Sequence, residues 1–140
     1  MTEPGGGPHA VTPPVMAVGV DLVEIGRVRR VLRRHPRRFL TRHFTPAEQA
    51  QCGSDPHRLA MRWAAKEAAA KALGTGIGPI AWTEIEVLGD AHGAPRLALY
   101  GNAGRVAAAL GLMTWAVSLS DTEAHAVAVV AAVGPGVADA

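Results

Sequence analysis

The sequence predicts a single α+β domain built from an antiparallel sheet and a long central helix. Patterns typical of helices fill most of the first half of the chain, and patterns typical of strands fill most of the second half. With 140 residues, the chain is long enough for one hydrophobic core and too short for two. We therefore expect residues 1–14 to be a disordered tail rich in Pro and Gly, residues 15–134 to form the domain, and residues 135–140 to be frayed.

The first predicted element is a strand from Val15 to Ile25, where apolar and β-branched residues are dense. Alternation places Asp21 on one face with the small residues Ala17 and Gly19, while Met16, Val18, Val20 and Leu22 share the other face. A buried carboxylate needs a partner, such as a metal ion, a basic group or backbone amides. The alternative is that Asp21 ends the strand and caps the helix that follows.

A basic helix is predicted from Glu24 to His35, and Pro36 ends it. Although the net charge is only +2, seven arginines fall within twelve residues: Arg27, Arg29, Arg30, Arg33, Arg34, Arg37 and Arg38. A surface of this kind favours an anionic partner, which could be nucleic acid, a phosphorylated cofactor or an acidic protein. A solvated helix face without a partner is the alternative.

A short helix is predicted to begin at Thr45 and to end near Cys52. Thr45 can cap it, Pro46 suits its first position, and Glu48 completes a capping box. Before it, Phe39, Leu40 and Phe44 predict a short hydrophobic link. Residues 53–56 predict a turn.

The central helix is predicted from about His57 to Leu73, because strong helix formers continue without interruption until Gly74. Trp63, Glu67 and Lys71 form one stripe at a spacing of four residues, with Arg62 and Lys66 on the neighbouring row. The opposite positions are small and apolar, so we expect the helix to pack on several sides. The alternative is that Glu67 and Lys71 form an ordinary ion pair on a solvated helix.

The second half of the chain predicts four strands and one helix. The first two strands, Trp82 to Leu88 and Pro95 to Tyr100, are predicted to form a hairpin. The helix follows from Asn102 to Leu110. The last two strands run from Met113 to Ser120 and from His125 to Val133.

Composition limits the class of protein. Aromatic residues are only 4% of the chain, so the core must consist of Ala, Val and Leu, and such a core suits a fold that shares burial with a partner subunit. A single cysteine, Cys52, excludes an intramolecular disulfide and fits a reducing compartment. No apolar run of 18 residues and no secretory signal are present, so we expect a cytoplasmic protein that is not inserted in a membrane.

The candidate chemistry rests on two carboxylates from separate elements. Asp21 and Glu67, with lysines nearby, are oxygen ligands of the type that Mg²⁺ binds together with substrate phosphates. This combination suggests chemistry on a phosphate ester. The glycine-rich turn from Gly74 to Gly78 follows a helix and lacks the spacing of a P-loop, so a helix stop is the simpler interpretation.

Four sequence segments together resemble a known family. They are Gly19-Val20-Asp21-Leu22-Val23-Glu24-Ile25-x-Arg27, Phe44-Thr45-x-x-Glu48, Arg62 to Gly76, and Val117-Ser118-Leu119-Ser120. The match runs from about Met16 to Val133 and is similar to the holo-acyl carrier protein synthases, the small type of 4′-phosphopantetheinyl transferase. The resemblance implies Mg²⁺-dependent transfer of phosphopantetheine from coenzyme A to a serine of an apo acyl carrier protein, with release of adenosine 3′,5′-bisphosphate. It also implies a homotrimer with active sites between subunits.

The resemblance also implies roles for individual residues. Asp21 and Glu67 match the metal ligands, and Lys71 matches a lysine that contacts the transferring phosphate; these three are the implied catalytic residues. The positions expected around the phosphates of coenzyme A are Arg62, Lys66, Lys71, Gly74, Thr75 and Gly76. The expected docking surface for the acidic carrier protein comprises Arg27, Arg30, Arg34 and Arg38. Either Glu67 or a water molecule could take the serine proton.

One position departs from the family pattern. Many members have His after the Ser-x-Ser segment, where this chain has Asp121. A carboxylate there would repel a phosphate, so we assign Asp121 no role.

Two other functions remain as alternatives. A nucleic-acid-binding module would explain the arginines, but it would leave Asp21 and Glu67 unexplained and has no aromatic stacking platform. The second alternative is a noncatalytic trimeric scaffold. We expect neither nucleic acid nor a membrane as a partner.

Overall fold

The computed structural model describes residues 13–138, which form five α-helices and five β-strands. In chain order the elements are β1 (Val15–Glu24), α1 (Ile25–Arg34), α2 (Pro36–His43), α3 (Pro46–Cys52), α4 (Pro56–Leu73), β2 (Ile85–Gly89), β3 (Pro95–Leu99), α5 (Gly101–Leu110), β4 (Thr114–Asp121) and β5 (His125–Gly134). The predicted class, α+β with antiparallel sheets and a long central helix, is confirmed.

Two antiparallel sheets organise the domain. The larger one has the order β1-β5-β4, in which β5 pairs with both neighbours. The smaller one is the predicted hairpin of β2 and β3. Helix α4 lies against the larger sheet so closely that a Cβ atom on Gly19 would stand 1.8 Å from the carbonyl oxygen of Ala68. Only glycine fits at this crossing, because any side chain would overlap the helix backbone.

The core is built mainly from small residues on α4. Ala64, Ala65, Ala68 and Ala69 are fully buried against the sheets and α5. A second cluster joins α1, α2 and the first half of α4, with Phe39, Phe44 and Trp63 as its large members. Alanine at so many contact positions lets backbones approach closely, which explains how a chain poor in aromatic residues fills its interior.

The outer face of the larger sheet is apolar and exposed. On β1, the exposed fractions are 71% for Met16, 63% for Val18, 53% for Val20 and 63% for Leu22. Their partners on β5 include Val129, with 42% exposed, and Val133, with 39% exposed. We call this surface the outer sheet face. Exposed apolar patches are typical of interaction sites.

Two element predictions were wrong at their boundaries. Residues 36–43 form helix α2 and not a link, because Pro36 takes the first position of a new helix, where its missing N–H group is no loss. The predicted strand from Trp82 begins three residues later, because residues 82–84 form a 3₁₀ turn. In contrast, the capping box of Thr45 and Glu48 is present as predicted.

Most of the predicted tail, residues 1–12, lies outside the described residues. After β5, residues 135–138 have no regular secondary structure, but the N–H of Gly136 donates to the carbonyl of Gly111 at 3.2 Å. The first part of the predicted frayed segment is therefore held against the end of α5. Within residues 13–138, no helix combines the length and the apolar character needed to cross a membrane.

Candidate active site

Asp21 lies on the inner face of β1, two residues after Gly19, and it pairs in register with Ala128 of β5. The close contact of Gly19 with α4 brings this part of β1 directly beside the helix. Asp21 is half-buried. Helix α1 begins at Ile25 with Glu24 at its N-cap, so the alternative that Asp21 caps this helix is wrong.

A cavity of about 200 Å³ lies where the end of β1, helix α4 and the start of α1 meet. Its lining includes the two predicted metal ligands, Asp21 and Glu67, together with Trp63 and Arg27. Leu22, Val23 and Glu24 complete the lining. The structure therefore brings both carboxylates to one cavity, although they are 46 positions apart in the chain.

Lys71 lies at the edge of this site and contacts β1. Its ammonium group donates to Asp21 Oδ1 at 3.1 Å and to the carbonyl oxygen of Val20 at 2.9 Å. Within residues 13–138, Asp21 is the only carboxylate within 4.0 Å of the Lys71 ammonium. The alternative of an ordinary ion pair between Glu67 and Lys71 is therefore wrong. Lys71 remains 54% exposed, so it can also meet a ligand.

Glu67 carries a raised pKa. Burial of the carboxyl group is the largest cause, and the negative charge of Asp21 adds to it. Lys71 and Arg27 act in the opposite direction, but less strongly. Two carboxylates thus repel each other in a partly dry cavity, and a cation between them would relieve this repulsion.

The donor set of this cavity fits Mg²⁺. Mg²⁺ is typically bound by one or two carboxylates and completes its octahedral shell with water and substrate phosphates. Asp21 and Glu67 supply two such carboxylates. Within residues 13–138, no group of three or more His, Cys, Asp or Glu side chains is arranged to hold a metal, as a closed zinc site would require.

Lys66 does not line this cavity, and its contact with coenzyme A stays a prediction. Its side chain is fully buried, and its ammonium group is 2.6 Å from Glu48 Oε1. It also donates to the carbonyl oxygens of Trp82, at 3.0 Å, and Ile85, at 2.5 Å. All three donors are therefore used within the chain. Burial lowers the pKa of Lys66, and Glu48 opposes this effect.

The guanidinium of Arg62 is also largely used within the chain. It donates to the carbonyl of Val87 at 3.1 Å and to the side chain of Gln51 at 3.2 Å. The residue is only 9% exposed, but it lines a second cavity of about 400 Å³ beside the β2–β3 hairpin, together with Arg58. A contact of Arg62 with a phosphate stays a prediction.

The glycine turn after α4 is a helix stop. Gly74 has the left-handed conformation, with φ at 80°, and caps the helix. The N–H groups of Gly74, Thr75 and Gly76 all donate to carbonyls of the last turn of α4. Because these amides are used, they do not form a phosphate cradle. A contact of the Thr75 side chain or of the glycines with coenzyme A stays a prediction.

The arginines of the predicted docking surface are exposed. Arg27, Arg30 and Arg34 lie on α1, and Arg38 lies on α2. Arg38 also lines a cavity of about 170 Å³ between α1 and α2, whose floor includes Val31 and Phe39. Arg27 alone of the four also lines the cavity of Asp21 and Glu67. The basic surface therefore adjoins the candidate active site.

Asp121 has a partner that the sequence did not indicate. Its Oδ2 atom lies 2.7 Å from Nδ1 of His57, at the start of α4. Nε2 of the same ring lies 3.2 Å from the guanidinium of Arg29 on α1. Asp121 therefore links the end of β4 to two helices. No sequence spacing could have revealed this contact, because the two residues are 64 positions apart.

Comparisons with known proteins agree with this geometry. A model of the 4′-phosphopantetheinyl transferase superfamily matches residues 17–130. The holo-[acyl-carrier-protein] synthase of Herpetosiphon aurantiacus is 45% identical over 127 residues, which cover 86% of this chain and 100% of that protein.

Solved structures give the same result. The holo-[acyl-carrier-protein] synthase of Neisseria meningitidis superposes with a TM-score of 0.75 at 34% identity, over 83% of this chain and 96% of that one. The synthase of Helicobacter pylori, solved in complex with coenzyme A, superposes with a TM-score of 0.76 at 28% identity, over 82% and 98% of the two chains.

Proposed function

Since the chain belongs to the holo-[acyl-carrier-protein] synthases of the 4′-phosphopantetheinyl transferase superfamily, we propose that it transfers 4′-phosphopantetheine from coenzyme A to an apo acyl carrier protein in a Mg²⁺-dependent reaction. The observation that carries this proposal is the shared cavity of Asp21 and Glu67, with Lys71 bound to Asp21 at its edge. Carboxylates that can hold a cation, next to a partly exposed ammonium group, suit the transfer of a phosphate group.

In the proposed reaction, a serine oxygen of the carrier protein forms a bond to the phosphorus that bears the pantetheine. The phosphoanhydride bond of coenzyme A breaks, and adenosine 3′,5′-bisphosphate leaves with the electron pair. The serine loses its proton to a base, for which Glu67 and a water molecule are the candidates. Glu67 lines the cavity in which the phosphate would bind, which is where a general base is required.

Asp21 and Glu67 would hold Mg²⁺, which when bound supplies positive charge against the phosphate oxygens. Lys71 keeps Asp21 in place through its hydrogen bond and remains exposed enough to meet a phosphate oxygen. An ammonium group in this position neutralises charge that develops on the phosphate during transfer.

We propose that the carrier protein docks on the basic surface of α1 and α2. Arg27, Arg30, Arg34 and Arg38 are exposed there, and the surface ends at the cavity of Asp21 and Glu67. An acidic partner bound to it would present its serine to the cavity. Electrostatic attraction of this kind speeds association and weakens with salt.

We further propose that the chain assembles as a homotrimer through the outer sheet face. Valine, leucine and methionine side chains on this face are 39–71% exposed, which is unfavourable in water but suits contact with a second copy. We also place the protein in the cytoplasm, in agreement with its single cysteine.

The direct test is incubation with coenzyme A, Mg²⁺ and a panel of apo carrier proteins of the fatty-acid and polyketide types, followed by mass spectrometry. A phosphopantetheine mass should appear on at least one carrier, with release of adenosine 3′,5′-bisphosphate. Glu67→Ala should abolish transfer while the circular dichroism spectrum stays unchanged. Absence of any mass shift with every carrier, combined with salt-sensitive binding of nucleic acid, would instead support a nucleic-acid-binding module.

A further inference from the structure

Arg27 and Trp63 form a contact that joins the basic surface to the candidate active site. The guanidinium carbon of Arg27, on α1, lies 5.2 Å from the ring centroid of Trp63, on α4. This geometry is a cation–π interaction. Within residues 13–138, Arg27 is the only arginine with such a contact.

The Trp63 ring is held firmly. It is only 8% exposed, and three other rings surround it, those of Phe39, His43 and Trp82, at centroid distances of 5.4, 5.4 and 5.8 Å. Most pairs in this cluster are edge-to-face or tilted, the arrangements that aromatic rings prefer. A long arginine side chain that rests on such a ring loses much of its freedom.

The charge of Arg27 is available to a partner. Within residues 13–138, no carboxylate oxygen lies within 4.0 Å of its guanidinium group, whereas Lys66 and Lys71 each have such a partner. Arg27 and Trp63 both line the cavity that contains Asp21 and Glu67. A guanidinium without an ion-pair partner in the described residues, whose charge also acts on Glu67, thus lies where the basic surface meets this cavity.

We propose that Trp63 is a positioning residue for the carrier protein: its ring holds the Arg27 guanidinium at the mouth of the cavity, where Arg27 binds an acidic side chain of the carrier. The pair then fixes the carrier relative to Glu67, which lies one helical turn after Trp63 on α4. Arg30 and Arg34 attract the carrier without this orientation, since no ring holds them. This inference rests on the proposed transferase function.

The test is a double-mutant cycle between Trp63 and Arg27, read from steady-state kinetics with varied apo carrier protein and saturating coenzyme A and Mg²⁺. Trp63→Leu should raise the KM for the carrier about two- to fivefold in the wild-type background, the range expected for an exposed cation–π contact. In the Arg27→Gln background the same substitution should have no further effect on this KM. The KM for coenzyme A should stay unchanged throughout.

Two controls separate positioning from general loosening of the core. Trp82→Leu removes a neighbouring ring that does not contact Arg27, so its effect on KM should be the same with and without Arg27. Arg34→Gln should leave the effect of Trp63→Leu intact. If Trp63→Leu fails to fold, Trp63→Phe replaces it. The KM for the carrier should then rise less, and this rise should again disappear in the Arg27→Gln background.

The inference is overturned if the effects of Trp63 and Arg27 on the carrier KM are additive, or if the KM for coenzyme A rises instead. A rise in the KM for coenzyme A would show that Arg27 contacts coenzyme A and not the carrier. A wild-type protein that transfers phosphopantetheine to no carrier would refute the proposed function itself, which is a separate outcome from additivity in an active enzyme.

Discussion

The ammonium group of Lys71 lies 3.1 Å from the carboxylate of Asp21, although the two residues are 50 positions apart in the chain. The same lysine also donates to the backbone of β1 at Val20. A basic side chain of the central helix thus restrains one of the two proposed metal ligands.

We expect Lys71→Met to lower the rate of transfer by about 10²–10³-fold, the usual effect of removing one charged donor from a transition state. The free energy of unfolding should change by less than about 1 kcal/mol, because a half-exposed ion pair contributes little. Single-turnover transfer assays and urea unfolding measure the two quantities. Lys71→Arg is the matched control and should keep much of the activity. A wild-type rate of transfer in Lys71→Met would refute a role of Lys71 in the reaction.

The pKa of Glu67 should respond in opposite directions to its two neighbours. Asp21→Asn removes a negative charge and should lower the pKa of Glu67 toward its ordinary value, whereas Arg27→Gln removes a positive charge and should raise it further. NMR titration of the carboxyl carbon in metal-free protein measures both shifts. An unchanged pKa in Asp21→Asn would show that the two carboxylates do not interact.

The same shift makes stability depend on pH. Because the pKa of Glu67 is higher in the folded than in the unfolded chain, the folded chain binds more protons between these two values. The contribution of Glu67 to stability therefore falls as pH rises through this window. Asp21→Asn should weaken that fall, as measured by urea unfolding across the window.

The buried pair of Lys66 and Glu48 should matter for folding. Lys66→Met leaves Glu48 with the N–H groups of Thr45 and Val87 but without a counter-charge, so we expect a loss of about 3–5 kcal/mol in the free energy of unfolding. The double variant with Glu48→Gln should recover part of this loss, because no charge is then left alone. Urea unfolding measures both, and Lys71→Met on the same helix is the exposed control. Equal losses of stability in Lys66→Met and Lys71→Met would contradict a structural role for the buried pair.

The outer sheet face should control assembly. Val18→Asp places a charge on a side chain that is 63% exposed in the single chain, so we expect it to convert the proposed trimer to monomers in sedimentation experiments. Ala47→Asp, at an exposed position in the first turn of α3, adds the same charge elsewhere and should leave the assembly intact. A wild-type protein that sediments as a monomer would overturn the proposed homotrimer.

Local signals predicted the limits of several elements correctly. The capping box at Thr45 and the stop at Gly74 depend on residues within a few positions of each other, so the sequence alone reveals them. Pro36 ends the basic helix as predicted, but the link predicted after it is helix α2, because a proline that ends one helix can also begin the next.

The sequence could not distinguish Lys66 from Lys71. Both lie on one predicted helix beside Glu67, and spacing alone gives both a place near a phosphate. The difference comes from contacts far along the chain: Lys66 meets Glu48 on α3, while Lys71 meets Asp21 on β1. Because α4 is enclosed on several sides, the side that each lysine faces is decided by tertiary packing and not by helical periodicity.

Gly19 allows a direct substitution test of the packing between β1 and α4. Gly19→Ala would place a methyl group 1.8 Å from the carbonyl oxygen of Ala68, so we expect a loss of about 1–3 kcal/mol or more in the free energy of unfolding. Gly26→Ala on α1 meets no atom closer than 3.6 Å and should leave stability unchanged or raise it. Urea unfolding of both variants checks this, and equal behaviour of the two would contradict the packing described.

The contact between Gly19 and Ala68 joins two backbones without an intervening side chain, so no change of rotamer can widen or narrow it. Asp21 follows Gly19 by two residues, and Glu67 immediately precedes Ala68. The backbone positions of the two carboxylate residues are therefore set when the chain folds. Only the side chains of Asp21 and Glu67 then need to be ordered when an ion binds, which lowers the entropic cost of binding.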